Sequence, residues 1–245
     1  MPPMADNLLR QYLEFYRDLG VRELYRQMPA IVPAAAVPVQ APAGAGPELP
    51  PLTPSGDALL KILEDIGDCR RCRLHEGRGK LVFGVGNEHS PVVFVGEGPG
   101  AEEDEQGIPF VGRAGQLLTQ MIENTAKKEG IPLRREDVYI CNVVKCRPPG
   151  NRTPEPDEME ICGEFLYRQL SVIQPKAICA LGGTAARAMT GHKEGVTKMR
   201  GKWYKWREVP VMVTYHPSYL LRPYNQSAKR DAWEDLKRLL HFVYD

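Results

Sequence analysis

Residues Val92 to Leu118 read "VVFVGEGPGAEEDEQGIPFVGRAGQLL". The four apolar residues before Gly96 have the length and composition of a strand buried on both faces. The run from Ala114 to Lys127 carries apolar residues at helical spacing. The unit is strand, loop, helix, the building block of a parallel sheet. Its loop bears on what such a sheet could hold. Nucleotide binding calls for G-x-G-x-x-G at a helix start. Here Gly96, Gly98 and Gly100 alternate, Pro99 removes one N–H that could hold a phosphate, and Glu102, Glu103, Asp104 and Glu105 follow. That acidic cluster would repel a pyrophosphate, and there is no Walker-type lysine. The loop suits a tight backbone cradle for a flat, near-neutral ligand. Phe110 offers it either a stacking face or ordinary core packing.

Outward from this unit the alternation continues. Strand candidates are Leu81–Val85, Val92–Val95, Val138–Val144, Ala177–Leu181 and Val209–Thr214. Helix candidates are Ala58–Ile66, Ala114–Lys127, Asp157–Ile173, Thr184–Met189 and Ala228–Phe242. The pattern predicts an α/β fold with a mostly parallel sheet and helices on both faces. In such sheets ligands bind beyond the carboxyl ends of the strands. That rule selects the glycine loop, Asn142 at the end of the third strand, and "HPSYLL", His216 to Leu221, after the last.

The chain has 245 residues, 42% of them hydrophobic. That suits one globular domain plus extra segments. Residues 6–27 place Leu9, Leu13 and Tyr16 at helical spacing, so 1–28 reads as a helical extension. Pro29 to Pro54 holds 15 Pro or Ala among 26 residues and cannot form a packed core, so 29–57 reads as a linker. The main domain then spans 58–245. A helix on such a tether is expected to dock a protein partner. There is no apolar run of roughly 18 residues and no signal-peptide pattern at the start, so a cytoplasmic protein without a membrane span is expected. A net charge of +1 excludes a globally basic nucleic-acid binder. One local patch stands out. His192 to Arg207, "HKEGVTKMRGKWYKWR", sets six Lys/Arg against one acid with Trp203, Tyr204 and Trp206 interleaved. It reads as a DNA-facing surface or as a solvated hairpin face.

In a reducing compartment the six cysteines are not expected to form structural disulfides. Cys69 and Cys72, in "CRRC", are close enough to share one metal centre, and Cys146 and Cys162 can complete a set of four. Four thiolates suit structural zinc or an iron–sulfur cluster. The loose second pair favours the cluster, since zinc sites more often carry two tight knuckles. Four buried free thiols are the plain alternative. Cys141 and Cys179 sit inside apolar strand patterns and read as core.

Taken together, "CRRC", "FGVGN", "VGEGPGAEEDEQGIPFVGRAGQLL", "VYICNVVKCRPPGNRTPEPDE", "RGKWY" and "HPSYLLR" resemble the family-4 uracil-DNA glycosylases, the iron–sulfur branch of the uracil-DNA glycosylase superfamily. The motifs occur in family order from Cys69 to the C-terminus, and residues 1–57 lie outside the resemblance. It implies a three-layer αβα sandwich around a four-stranded parallel sheet, with Leu81–Val85 the extra strand. It implies a [4Fe–4S] cluster, taken to be structural, on Cys69, Cys72, Cys146 and Cys162. The implied activity is DNA repair by hydrolysis of the N-glycosidic bond of uracil, acting on a base flipped from single- or double-stranded DNA.

The resemblance also implies roles. Gly96 and Gly98 would cradle the base, Asn142 would read its N3–H and O4, and Phe110 would stack on it. Glu103 would lie near the C5 edge and exclude thymine. His216 would hydrogen-bond O2. The best-known relatives place a water-activating aspartate where this chain has Gly98, so Glu97 is the candidate to orient water. Its alternative is to fix the loop while backbone carbonyls hold the water. Leu220 would wedge into the duplex, with Leu221 able to substitute. Ser218, Arg222 and Lys202 would hold phosphates. A monomer is expected for an enzyme that embraces a duplex. The competing readings are an iron–sulfur electron-transfer protein and a non-catalytic nucleic-acid-binding module stabilised by zinc. A relative that bonds covalently to DNA through a histidine carries a basic, His-containing insertion where this chain has "RPPGNRTPEPDE".

Overall fold

A computed structural model describes residues 56–223 and 225–245. The extension expected over 1–28, and the linker up to residue 55, lie outside them. Six strands form one sheet in the order β1-β3-β2-β4-β6-β5. They are β1 (Val85–Gly86), β2 (Val92–Gly96), β3 (Tyr139–Asn142), β4 (Ala177–Leu181), β5 (Trp203–Trp206) and β6 (Val209–Thr214). The helices are α1 (Leu59–Ile66), α2 (Ala101–Gln106), α3 (Arg113–Lys128), α4 (Pro156–Ile173), α5 (Gly182–Thr190), α6 (Val196–Met199), α7 (Pro217–Leu220) and α8 (Gln226–Tyr244).

The four inner strands are parallel, as expected, and two short antiparallel edges extend them. Two expectations shift here. Only Val85 of Leu81–Val85 joins the ladder. β5 falls in the basic patch, an edge strand in which Trp203 and Lys205 face solvent while Trp206 is buried. Register decides where the site forms. Gly96 pairs with Asn142 across β2 and β3, and Leu181 with Thr214 across β4 and β6. The inner strands therefore end level, and the loops that follow them meet at one edge.

Alternation along the strands builds the layers. Val93, Val95, Cys141, Ile178, Ala180 and Val213 share a core with Leu166 and Leu170 of α4 and with Ala185, Ala186 and Met189 of α5. Phe94, Cys179 and Met212 point to the opposite face by the same period. There α8 packs on β4 and β6, and α3 packs on α8. Cys141 and Cys179 are fully buried, as the core reading requires. β2, all five residues buried, is the doubly covered strand its composition predicts. In α4, Pro156 occupies the first turn and the Glu155 N–H donates to Glu158 at 2.8 Å. The helix ends where Gln174 turns left-handed, at φ 51°. Its buried Phe165, Leu166 and Leu170 are each worth roughly 1.5–3 kcal/mol. No described helix is long and apolar enough to cross a membrane.

Candidate functional site

The level strand ends open on a cavity of about 310 Å³, lined by Glu97, Gly98, Glu103, Phe110, Asn142, Arg152, Gly182, His216 and Ser218, among others. It is at the small end of ligand pockets, which run ~300–1,000 Å³. Asn142 ends β3 and is 1% exposed. Its side-chain Oδ1 is buried without a hydrogen-bond partner. Few buried polar atoms are left so, and each calls for an explanation.

Two close approaches make this arrangement possible. A Cβ on Gly96 would lie 2.4 Å from Asn142 Oδ1 and 2.5 Å from Phe110 Cζ, so only glycine lets those groups converge. Phe110 itself is left-handed, at φ 54°, a conformation that costs a non-glycine residue roughly 1–3 kcal/mol. Arg135 holds that turn by donating to Pro109 O at 2.8 Å and Thr119 Oγ1 at 2.8 Å. On the far wall Gly182, at φ 88°, meets the His216 loop. A Cβ there would sit 2.9 Å from His216 Cβ.

The Phe110 and His216 rings stand 5.6 Å apart. His216 caps α7. Its Nδ1 faces the Ser218 Oγ at 2.7 Å and accepts from the Ser218 N–H at 3.2 Å. An accepting Nδ1 leaves the proton of a neutral imidazole on Nε2. Burial pulls the His216 pKa down to about 4, so that neutral form holds at physiological pH. The ring can therefore donate one hydrogen bond into the cavity.

Two carboxylates line the same cavity, and both are tied down. Glu97 Oε2 accepts from the Thr184 hydroxyl, at the start of α5. Glu103 Oε1 accepts from the Val111 and Gly112 N–H groups at 3.0 and 2.9 Å, and Oε2 accepts from Gly100 N–H at 3.1 Å. Glu103 thus closes the loop from Gly100 to Gly112 around Phe110.

The expected duplex-facing residues divide. Arg222 and Lys202 are exposed, and Ser218 is exposed while also hydrogen-bonded to His216. Leu220 is 1% exposed, because α7 packs on α3 and α8 and turns that side chain inward. Leu221, the next residue, is partly exposed. From the basic stretch, Arg200 is taken up structurally by Asp235, with Nε to Oδ2 at 3.0 Å. Thr184, Arg152 and Lys145 join the two sites beyond the residues the sequence motifs single out. Only Lys145 carried a signal, as a lysine inside the apolar run "NVVKC".

Behind β3 the structure brings Cys69, Cys72, Cys146 and Cys162 around one small pocket walled by Ile66, Leu81 and Phe165. All four are free thiols. Among the described residues no three Cys, His, Asp or Glu side chains form a single-ion site. Three sulfurs receive N–H donors. Arg78 Nη1 lies 3.2 Å from Cys146, the Lys145 backbone N–H 3.2 Å from Cys162, and Arg71 Nη1 3.4 Å from Cys69. Burial pushes the Cys162 thiol up to about 12 and raises Cys72 and Cys146 as well. Arg73, next to Cys72, bonds Glu158 Oε1 at 3.0 Å. Arg152, on the cavity wall, bonds the same carboxylate at 2.6 Å. Those contacts hold Glu158 near a pKa of about 2.

Comparison with known proteins agrees with this geometry. The Uracil DNA glycosylase superfamily profile matches residues 83–237. The chain is 47% identical over 190 residues to a Type-4 uracil-DNA glycosylase of Thermotoga maritima, covering 76% of this chain and 96% of the relative. It is 43% identical over 191 residues to a Type-4 enzyme of Archaeoglobus fulgidus, covering 75% and 92%. A Type-5 uracil-DNA glycosylase of Pyrobaculum aerophilum matches at 30% over 195 residues, covering 74% and 83%. The chain belongs to the uracil-DNA glycosylase superfamily, in its Type-4 family.

Proposed function

We propose that the cavity receives a uracil flipped from DNA and that the protein hydrolyses its N-glycosidic bond, leaving an abasic site. The observation that carries this reading is the Asn142 side chain, a buried acceptor without a partner in a base-sized cavity. Its Oδ1 accepts from uracil N3–H while its amide donates to O4. Cytosine presents the opposite pattern, and such mismatched buried groups support rejection on the order of 10⁴-fold. Phe110 stacks on the ring, and the Gly96 and Gly98 backbone lets it approach. Glu103 fixes the loop along the C5 edge, where a thymine methyl would have to fit.

Cleavage leaves negative charge on the departing base. His216, neutral and protonated on Nε2, donates to O2 as that charge grows, a contribution that is often the largest in catalysis. Glu97, oriented by Thr184, positions the water that attacks the sugar. Lys202, Arg222 and the Ser218 turn hold phosphates, and Leu221 fills the space the base vacates. Affinity through such contacts falls with salt.

Cys69, Cys72, Cys146 and Cys162 fit a [4Fe–4S] cluster. Four thiols share one pocket, donors meet three of the sulfurs, and a polynuclear centre needs more room than one ion. The cluster, when bound, supplies an anionic inorganic anchor and displaces the thiol protons that burial otherwise retains. Residues 58–245 form the catalytic body, acting as a cytoplasmic monomer on single- or double-stranded uracil-containing DNA. The amphipathic extension 1–28, on its linker 29–57, recruits a protein partner.

Oligonucleotides carrying one uracil test this directly. Abasic-site formation is expected with the wild-type protein, and losses of roughly 10²–10³-fold with Asn142→Ala and His216→Ala. No uracil release, or full activity in both variants, would overturn the assignment. Iron content of the fresh protein tests the cluster separately.

A further inference from the structure

Lys145 lies between the two sites and is 1% exposed. Its Nζ donates to the Asn142 backbone carbonyl at 2.8 Å and to Gln169 Oε1 at 2.6 Å. Both acceptors are neutral. Among the described residues no carboxylate pairs with this ammonium. Burial disfavours its charged form, and the ionisable groups that act against that are the thiols of Cys141 and Cys162. Its backbone N–H also donates to Cys162 Sγ at 3.2 Å. Gln169 is anchored in turn, donating to Phe83 O at 3.1 Å and Tyr139 Oη at 3.0 Å. A buried charge persists only when it is paired or well hydrogen-bonded. Lys145 has the hydrogen bonds, and its missing counter-charge points to the cysteine pocket.

We propose that Lys145 is a positioning residue that ties the Asn142 end of β3 to the cysteine centre and serves as that centre's buried counter-cation. Through Nζ it fixes the peptide whose side chain reads the base. Through its backbone and its charge it holds the thiolate set. One residue thereby makes base reading depend on an intact inorganic anchor. The counter-cation role rests on the cluster reading above, whereas the positioning of Asn142 does not.

Two holoprotein variants separate the roles. Lys145→Met keeps length and apolar volume but removes the charge and its donors. It is expected to lower kcat/KM for uracil release by roughly 10–100-fold, the usual cost of losing an outer-shell partner. The midpoint potential of the cluster should also become more negative, because a nearby positive charge favours the reduced form. Gln169→Met keeps the charge and removes one acceptor that steers it. It should slow uracil release several-fold and leave the potential unmoved. Wild-type release and wild-type potential in both iron-loaded variants would overturn the proposal. If Lys145→Met fails to hold iron, Gln169→Met decides, and full activity there overturns the positioning role. A wild-type protein without iron would instead sink the cluster reading, and uracil release in the two variants would still judge the hold on Asn142. A wild-type protein that releases no uracil would sink the glycosylase reading, and the potential shift would still judge the counter-charge.

Discussion

The base cavity and the cysteine pocket lie on either side of the segment from Asn142 to Cys146, yet they are built in opposite ways. In the cavity a buried acceptor, Asn142 Oδ1, is left open, and a left-handed Phe110 is held beside it. In the cysteine pocket donors are already in place, from Arg71, Arg78 and the Lys145 backbone. An unfilled valence marks a place that awaits a transient ligand, because its cost is recovered only on binding. Filled valences mark a site assembled once, on folding. On the proposed reading, the contrast separates the part of the protein that performs chemistry from the part that holds it in shape.

Changes in the cavity should therefore cost activity with little loss of stability, and changes in the pocket the reverse. The largest effect is expected for Asn142→Ala. Single-turnover release of uracil should fall roughly 10²–10³-fold while iron content and melting temperature stay near wild type. A comparable loss of melting temperature would break the contrast. Cys162→Ser should release iron and lower the melting temperature, since the free energy of metal binding is also folding free energy. Retained iron would show that the four thiols are not one set. Gly96→Ala should force Asn142 and Phe110 apart. Overpacking of this kind costs roughly 1–3 kcal/mol, and uracil affinity should show it. Thr184→Val removes the donor on Glu97 Oε2, and about tenfold slower release is expected from the loss of one hydrogen bond to a charged group. Thr184→Ser should restore it.

The smallest effect concerns pH. The folded state holds the His216 pKa near 4, below the ordinary 6.5 of the unfolded chain. Between those values the unfolded chain takes up the proton first. The stability linked to His216 is thus fully present above about 6.5 and declines as pH falls towards 4. Uracil release should show no loss from His216 protonation between about pH 6 and 8, while thermal melting below 6 should report the decline. A titration in activity near 6.5 would mean that the imidazole is not held neutral.

The parallel inner sheet was legible because its strands are short, apolar and bounded by turn residues, and β4 and β6 fall where their apolar runs predict. The edges were not. Trp203–Trp206 alternates aromatic and basic side chains and pairs on one side only, so its pattern resembles a surface patch. That Cys69, Cys72, Cys146 and Cys162 would meet was legible because a shared site restricts both residue type and spacing. The proposed roles of Asn142 and His216 came from ordered motifs, whereas the unpaired Oδ1 and the Nδ1 contact that leaves the His216 proton on Nε2 came from the structure. That Leu220 is buried and Leu221 partly exposed was not legible, because sequence gives no direction for one leucine in a four-residue helix packed against two others.

By itself the sequence determined the βα alternation, the strand ends that line the cavity and the four thiols that share one pocket, since periodicity and residue type are local properties. The tertiary structure alone decided which oxygen of Asn142 stays open, which nitrogen of His216 carries its proton, and that Lys145 lies buried between the two sites. Those outcomes depend on groups brought together from β2, β3, α4, α5 and α7, and no local pattern encodes how distant segments meet.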